Sequence, residues 1–236
     1  MGKLFDALNN DVRFIEAFKA CMNCGVCTAI CPAADYYDYD PRIIVNIVQT
    51  RNEEEIEKLL KSDTIWYCGE CMSCKTRCPR GNVPGLIIMA LRSLSQDLGY
   101  FIESEKGRQQ YAVLKTVGLN ILELGYCVHP DKLLPENHPE QGPVWEWVYK
   151  NRDEVMNRLT SNFRKEGPGA MRKIPDSVLD EIKKIFDVTG GTERFEKVRK
   201  ISVEKAKEEG LTTDEDIRKD EYFKKVNTTN SNNHTK

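Results

Sequence analysis

Eight of the nine cysteines fall in two copies of one pattern, C-x2-C-x2-C-x3-C-P: Cys21, Cys24, Cys27 and Cys31 before Pro32, and Cys68, Cys71, Cys74 and Cys78 before Pro79. Thiolate sulfur is a soft ligand, and this spacing is the one with which bacterial chains hold cubane iron–sulfur clusters in pairs. Three thiolates within seven positions reach three corners of one cube, while the fourth, carried past a turn, is free to reach another. The expected assignment is therefore crossed. One [4Fe–4S] cluster takes Cys21, Cys24, Cys27 and Cys78, and the second takes Cys68, Cys71, Cys74 and Cys31. Structural zinc ordinarily uses two separated ligand pairs, and disulfide frameworks belong to small secreted chains, so neither accounts for two full tetrads each closed by proline.

A cube held by four thiolates is anionic, and shielding it from oxidants is costly unless N–H groups point at its sulfurs. Gly25 and Gly69, beside ligands, can let the backbone approach and adopt positive φ. Lys75, Arg77 and Arg80 surround the second run and Asp35, Asp38 and Asp40 follow the first, but because Cys31 crosses over, the sign of any potential gap does not follow from sequence. Tyr36, Tyr37 and Tyr39 read either as a shield for a cluster against water or as packing on the linker. Cys127, outside both runs, reads as a buried apolar filler, and His129 and His138 as structural or surface residues. Of Trp145 and Trp147, which point to different sides of a helix, one reads as core and the other as a partner anchor. The chain has no G-x-G-x-x-G turn, no P-loop and no nucleophile with a base. It reads as a conductor of single electrons between centres held elsewhere. The competing readings are an iron–sulfur scaffold or sensor without turnover and an electron-transfer subunit of a different dehydrogenase.

These cysteines need helices to hold them. Leu4, Phe5, Leu8, Val12, Ile15 and Phe18 recur at helical spacing and predict one amphipathic helix over 4–19. Asp40 caps a helix opened by Pro41, and Asn52 caps another over 53–61, so the link between the two runs is helical. Residues 83–98 and 102–125 predict two more helices, stopped at Gly99 and Gly125. The segment from Pro130 to Pro143 contains four prolines. Beyond them come helices over Trp145–Leu159, Val178–Val188 and 192–209, whose thin apolar stripes suit docking along another protein.

With 236 residues, 40% apolar and 31% charged, the chain has the composition of a soluble protein. No apolar stretch nears the run of about 18 residues that crosses a bilayer, and no secretion signal opens the sequence. The expected location is cytoplasmic, with peripheral membrane contact left open through a complex. A net charge of −2 argues against nucleic acid as a partner.

The stretch Cys21–Pro32, the Asp40-Pro41-Arg42 helix start and the run from Trp66 to Pro79 together resemble the iron–sulfur C-subunit of heterodisulfide reductase (HdrC) over about residues 1–125. Related two-cluster domains occur in electron-transfer subunits of succinate and glycerol-3-phosphate dehydrogenases. The resemblance implies a mainly α fold: an α-helical ferredoxin domain binding two [4Fe–4S] clusters, with a helical C-terminal extension. It also implies two heterodisulfide-reductase-like partners, one bearing flavin and the other holding the catalytic clusters on cysteine-rich motifs. Pro135–Pro139 and the segment from Asp187 to Phe195 resemble the longer subunits of the heterodisulfide-reductase-like system of sulfur oxidisers. The expected organisation is a cluster domain over 1–128, a linker over 129–143, a docking extension over 144–225 and a disordered tail over 226–236.

Overall fold

The computed structural model describes residues 2–138 and 141–229, and among them are helices, turns and loops but no strand. The mainly α class is as expected. The single helix predicted over 4–19 is instead two, α1 (Lys3–Leu8) and α2 (Val12–Ala17). Asp11 is the cause: its carboxylate accepts from the Arg13 N–H at 2.9 Å, capping a new helix and turning the chain. The turn rotates the apolar stripe, so Phe5, Leu8, Phe14 and Ala17 are buried while Val12 and Ile15 lie 63% and 55% exposed. Gly2, at the N-cap of α1, brings no side chain. Glu53 caps α1 from elsewhere, its carboxylate accepting from the N–H groups of Leu4 and Phe5 at 2.7 and 3.1 Å.

Two short helices follow the first cysteines, α3 (Val26–Ala29) and α4 (Pro32–Tyr36), the latter opened by proline at its first position. The link between the runs is helical, as predicted: α5 (Pro41–Thr50) and α6 (Glu53–Leu60). Asp40 accepts from the Arg42 N–H at 2.8 Å, and Asn52 accepts from those of Glu54 and Glu55 at 3.0 and 3.3 Å. After the second run, α7 (Pro84–Leu98) ends at Gly99 in the left-handed conformation, φ +78°. The helix predicted over 102–125 is fragmented: a 3-10 turn, α8 (Glu105–Arg108), α9 (Gln110–Val113), one π turn over Leu114–Gly118, and α10 (Leu119–Leu124) ending at Gly125. Ser104 starts the break by accepting from the Gly107 N–H at 3.1 Å.

The chain groups into two compact units. Among the described residues, the first contains 2–110, Lys197–Glu209 and 228–229. Its core joins Ile44, Val45 and Val48 of α5 to Leu60 of α6 and to Ile87 and Leu91 of α7. Each such side chain contributes about 1.5–3 kcal/mol on burial. This core holds α5 and α7 in contact, and each carries one cysteine loop.

The second unit contains Tyr111–Glu196 and Gly210–Asn227. The helix predicted over Trp145–Leu159 is interrupted at Asn151, giving α11 (Gly142–Lys150) and α12 (Arg152–Arg158). Along the chain next come α13 (Asp176–Val188) and α14 (Gly191–Glu208), close to their predicted bounds, with α14 belonging to the first unit from Lys197 onward, and then α15 (Glu221–Thr228), which the sequence pattern did not foretell. Phe163, Tyr222, Phe223 and Val226 are buried, so this unit has an apolar interior that thin stripes did not suggest. Of the tail expected to be disordered, residues 226–228 are helical and 230–236 lie outside the described residues. Within the proline-rich stretch, His129 and Pro130 are buried and Pro135–Asn137 form a 3-10 turn, while residues 139 and 140 lie outside the described residues. No described helix is long and apolar enough to cross a membrane.

Candidate metal centres

The two cysteine loops fold alike. In the first, Asn23 and Gly25 have positive φ, at 59° and 79°; in the second, Glu70 and Met72 do, at 54° and 58°. These are the second and fourth positions after the leading cysteine in each loop. In both, the N–H of the second residue faces that cysteine's sulfur at 3.4 Å, Asn23 to Cys21 and Glu70 to Cys68. Gly25 thus has the conformational role expected of it. Gly69 does not: its φ is not positive, and the left-handed positions of its loop fall to Glu70 and Met72, which adopt them at a cost of about 1–2 kcal/mol each.

Helix side chains clamp the loops. From α5, Gln49 accepts from the Cys21 N–H at 2.6 Å, and Asn46 donates to the Asn23 side chain at 2.9 Å. From α7, Arg92 donates to the carbonyls of Ile65 and Cys68 at 2.7 and 2.6 Å. Gly85 lets α7 approach the second loop, since a Cβ there would lie 3.0 Å from the Met72 sulfur and 3.8 Å from that of Cys74. The end of the second run returns to the first. The Val83 N–H donates to the Ala17 carbonyl at 3.1 Å, and the Lys19 N–H donates to Asn82 Oδ1 at 2.7 Å. These bonds draw Cys78 alongside the loop of Cys21.

The sulfurs accordingly line two hollows. Cys31, Cys68, Cys71 and Cys74 line a cavity of about 330 Å³, together with Tyr37 and Tyr39. Cys21, Cys24, Cys27 and Cys78 line a narrower one, shared with Arg42 and Asn82. No cysteine is in a disulfide. Among the described residues, no three His, Cys, Asp or Glu side chains converge tightly enough to hold a single metal ion, so each set of sulfurs lines a cavity rather than meeting at a point.

Buried polar atoms without partners test what belongs there. The Tyr39 hydroxyl, the Arg42 Nε and the Asn82 Nδ2 are buried and lack any hydrogen-bond acceptor, and all three residues line one or the other hollow. Each of these atoms is a donor. Leaving a buried donor unpaired costs about 1–3 kcal/mol, so three donors beside eight sulfurs suit an anionic group with sulfur acceptors. Burial raises the thiols of Cys27, Cys31 and Cys74, the direction in which a thiolate requires a compensating cation. Cys71 is lowered instead, chiefly by the Ser73 hydroxyl 3.4 Å from its sulfur. Tyr39 is raised, first by burial and then by the neighbouring charge of Cys68 and Cys31. Tyr67 is raised to about 12, mainly by burial, and stacks on Tyr37 with ring centres 4.5 Å apart. The residues fit [4Fe–4S] clusters.

A family of 4Fe–4S dicluster domains matches residues 17–82, the segment that holds all eight of these cysteines. Over 163 residues the chain is 30% identical to an iron–sulfur C-subunit of CoB–CoM heterodisulfide reductase from Methanocaldococcus jannaschii, covering 67% of this chain and 78% of that one. The chain belongs to the HdrC family, the C-subunits of heterodisulfide reductase. A second relative, the C-subunit of ferredoxin:CoB-CoM heterodisulfide reductase from Methanosarcina acetivorans, is 29% identical over 194 residues, 82% of this chain and 71% of its own. A third, from Methanosarcina mazei, is 31% identical over 133 residues, covering 56% of this chain and 74% of its own. The likeness thus extends beyond the 125 residues on which the motifs rest. As an HdrC family member with a dicluster domain, the chain is an electron-transfer iron–sulfur protein whose cofactors are two [4Fe–4S] clusters.

Several residues that shape the site escaped the reading of motifs and spacing. Asn46, Gln49, Asn82 and Arg92 carry no spacing signal, because each is defined by a contact across the fold. Cys127, expected to be buried, is exposed, since it follows the turn that ends α10. His129 is buried and structural, stacked on Phe163 with ring centres 5.5 Å apart. Trp145 is half-buried and donates to the Leu133 carbonyl at 3.0 Å, while Trp147 is 55% exposed.

Proposed function

We propose that this chain relays single electrons through one cluster held by Cys21, Cys24, Cys27 and Cys78 and another held by Cys31, Cys68, Cys71 and Cys74. The single observation that supports the ligand sets is the division of the eight sulfurs between two hollows, with Cys31 and Cys78 exchanged. The clusters supply reversible one-electron storage when bound. The chain's own residues supply the rest. Its cysteines anchor the irons, Tyr37 and Tyr39 exclude water from the second hollow, and Gln49 and Arg92 fix the loops so that little reorganises as charge changes.

The electron route runs between the flavin-bearing and the cysteine-rich catalytic subunits of a heterodisulfide-reductase-like complex in the cytoplasm. The relatives named above support a complex of this kind, since their names make them reductase subunits. The two tail segments that resemble the subunits of sulfur oxidisers favour oxidation of a sulfur compound as the overall chemistry. Residues 144–225, with the exposed Trp147, serve as the docking extension of the cluster domain 1–128, and 129–143 as the connection.

Anaerobic isolation of the tagged full chain from its own cells tests the proposal. The expected preparation carries the flavin-bearing and cysteine-rich partners and about eight irons and eight sulfides per chain, and cycles reversibly with a reduced flavin donor. A monodisperse chain that is active alone, or a zinc protein, would overturn it.

A further inference from the structure

Resting on the ligand sets proposed above, we infer that the two clusters differ in potential: the one at Cys21, Cys24, Cys27 and Cys78 accepts an electron more readily, and Asn82 is a residue that sets its potential. The linings are opposite in character. Among the described residues, the hollow at Cys31, Cys68, Cys71 and Cys74 has no charged side chain in its lining, which includes tyrosine, proline, methionine and isoleucine, and Arg92, which reaches the Cys68 carbonyl from α7, is paired with Glu70 at 2.5 Å. The other wall includes the basic residues Arg42 and Arg80 and the amide residue Asn82.

Reduction adds one negative charge to a cube. In an uncharged, apolar wall that added charge is disfavoured, whereas nearby cations and N–H donors stabilise it. Asp40 pairs with Arg42 at 2.7 Å and cancels much of its charge, so Arg80 supplies the net positive charge. Arg80 follows the second cysteine run in sequence yet lines the hollow of the first, because Cys78 crosses. Asn82 is 2% exposed. Its Oδ1 is fixed by the Lys19 N–H at 2.7 Å, which leaves Nδ2 as an unpartnered donor in the same wall. Tyr39, 4% exposed, offers one uncharged hydroxyl to the other hollow.

The consequence is a downhill internal step. With both clusters bound, an electron from a donor outside the chain, a reduced flavin or another iron–sulfur centre, would enter at the Cys31, Cys68, Cys71 and Cys74 site and come to rest at the Cys21, Cys24, Cys27 and Cys78 site. One centre is oxidised as the other is reduced; no bond breaks and no proton moves.

Potentiometric titration of the anaerobically reconstituted full chain, read by electron paramagnetic resonance, tests this. C24S and C71S assign the two signals. The signal altered by C24S should titrate at the higher potential. N82D keeps an oxygen for the Lys19 N–H, removes the donor and adds a negative charge, two changes that act in the same direction. It should lower that potential so that the reduced-to-oxidised ratio at fixed potential falls at least tenfold, about 59 mV for a one-electron couple. R80Q, at an exposed position, should shift the same signal in the same direction, and less so at high salt. Y39F should lower only the other signal. If the C71S-altered signal titrates higher, or if N82D and R80Q leave both potentials unmoved, the inference falls while the ligand sets stand. A chain that takes up fewer than two cubes overturns both.

Discussion

At the scale of single residues, Cys78 carries the sharpest consequence of the crossed geometry. It lies ten positions after Cys68, yet its sulfur shares a wall with Cys21, Cys24 and Cys27. Serine is a far weaker ligand for iron, so Cys78→Ser should remove the cube of the first loop. The expected preparation retains about four irons per chain and one unaltered resonance signal. Loss of the signal that C71S alters, with the other intact, would contradict the assignment. The two cysteine runs were legible because their spacing is written along the chain, and the hollows group their residues in the way the proposed ligand sets require. The donors of Tyr39, Arg42 and Asn82 were not legible. Each matters through burial without a partner, a property of the fold that no local pattern encodes. The same holds for Met72, since a left-handed methionine is held in place by its loop rather than chosen by its own preference.

Among the elements, α6 links a local cap to a distant one. Asn52 holds its first turn through the N–H groups of Glu54 and Glu55, and Glu53 in that turn caps α1. Asn52→Ala should lower stability by about 1 kcal/mol, read as a lower denaturant midpoint at unchanged slope, whereas Asn52→Ser should recover most of it. Equal stability of the alanine and parent chains would show that the cap contributes nothing. Caps of this kind were readable from sequence: Asp40, Asn52, Gly99 and Gly125 all stand where the helices begin or end. Interruptions were less so. Asp11 and Ser104 sit inside continuous helical periodicity, and the decision to cap rather than continue depends on what the resulting faces can bury. The stripe through Val12 and Ile15 was periodic, but the break at Asp11 left both residues exposed.

For the molecule as a whole, the second unit places a limit on acid stability that is separate from the clusters. Asp131 gathers Arg152 and Arg164 at 2.7 and 2.8 Å, and the Arg164 hydrogen bond leads in holding its carboxyl down at about 2. A carboxylate depressed from an ordinary 3.8 contributes stability that is complete above that value and lost as pH falls toward about 2. His129 acts earlier. Burial lowers it from 6.5, and its Nδ1 already accepts from the Asp131 N–H at 3.3 Å, so protonation would set one N–H against another. The unfolded chain binds that proton first, and stability therefore starts to fall as pH drops below about 6.5. Thermal melts followed by tryptophan fluorescence in a Trp66→Phe background, which leaves Trp145 and Trp147 of this unit, should show a decline below pH 6.5 and a steeper one below 3.8. H129Q should flatten the first decline and leave the second; D131N should lower stability at neutral pH and flatten the second. A first decline that survives H129Q unchanged would assign it to another group and remove His129 from the account.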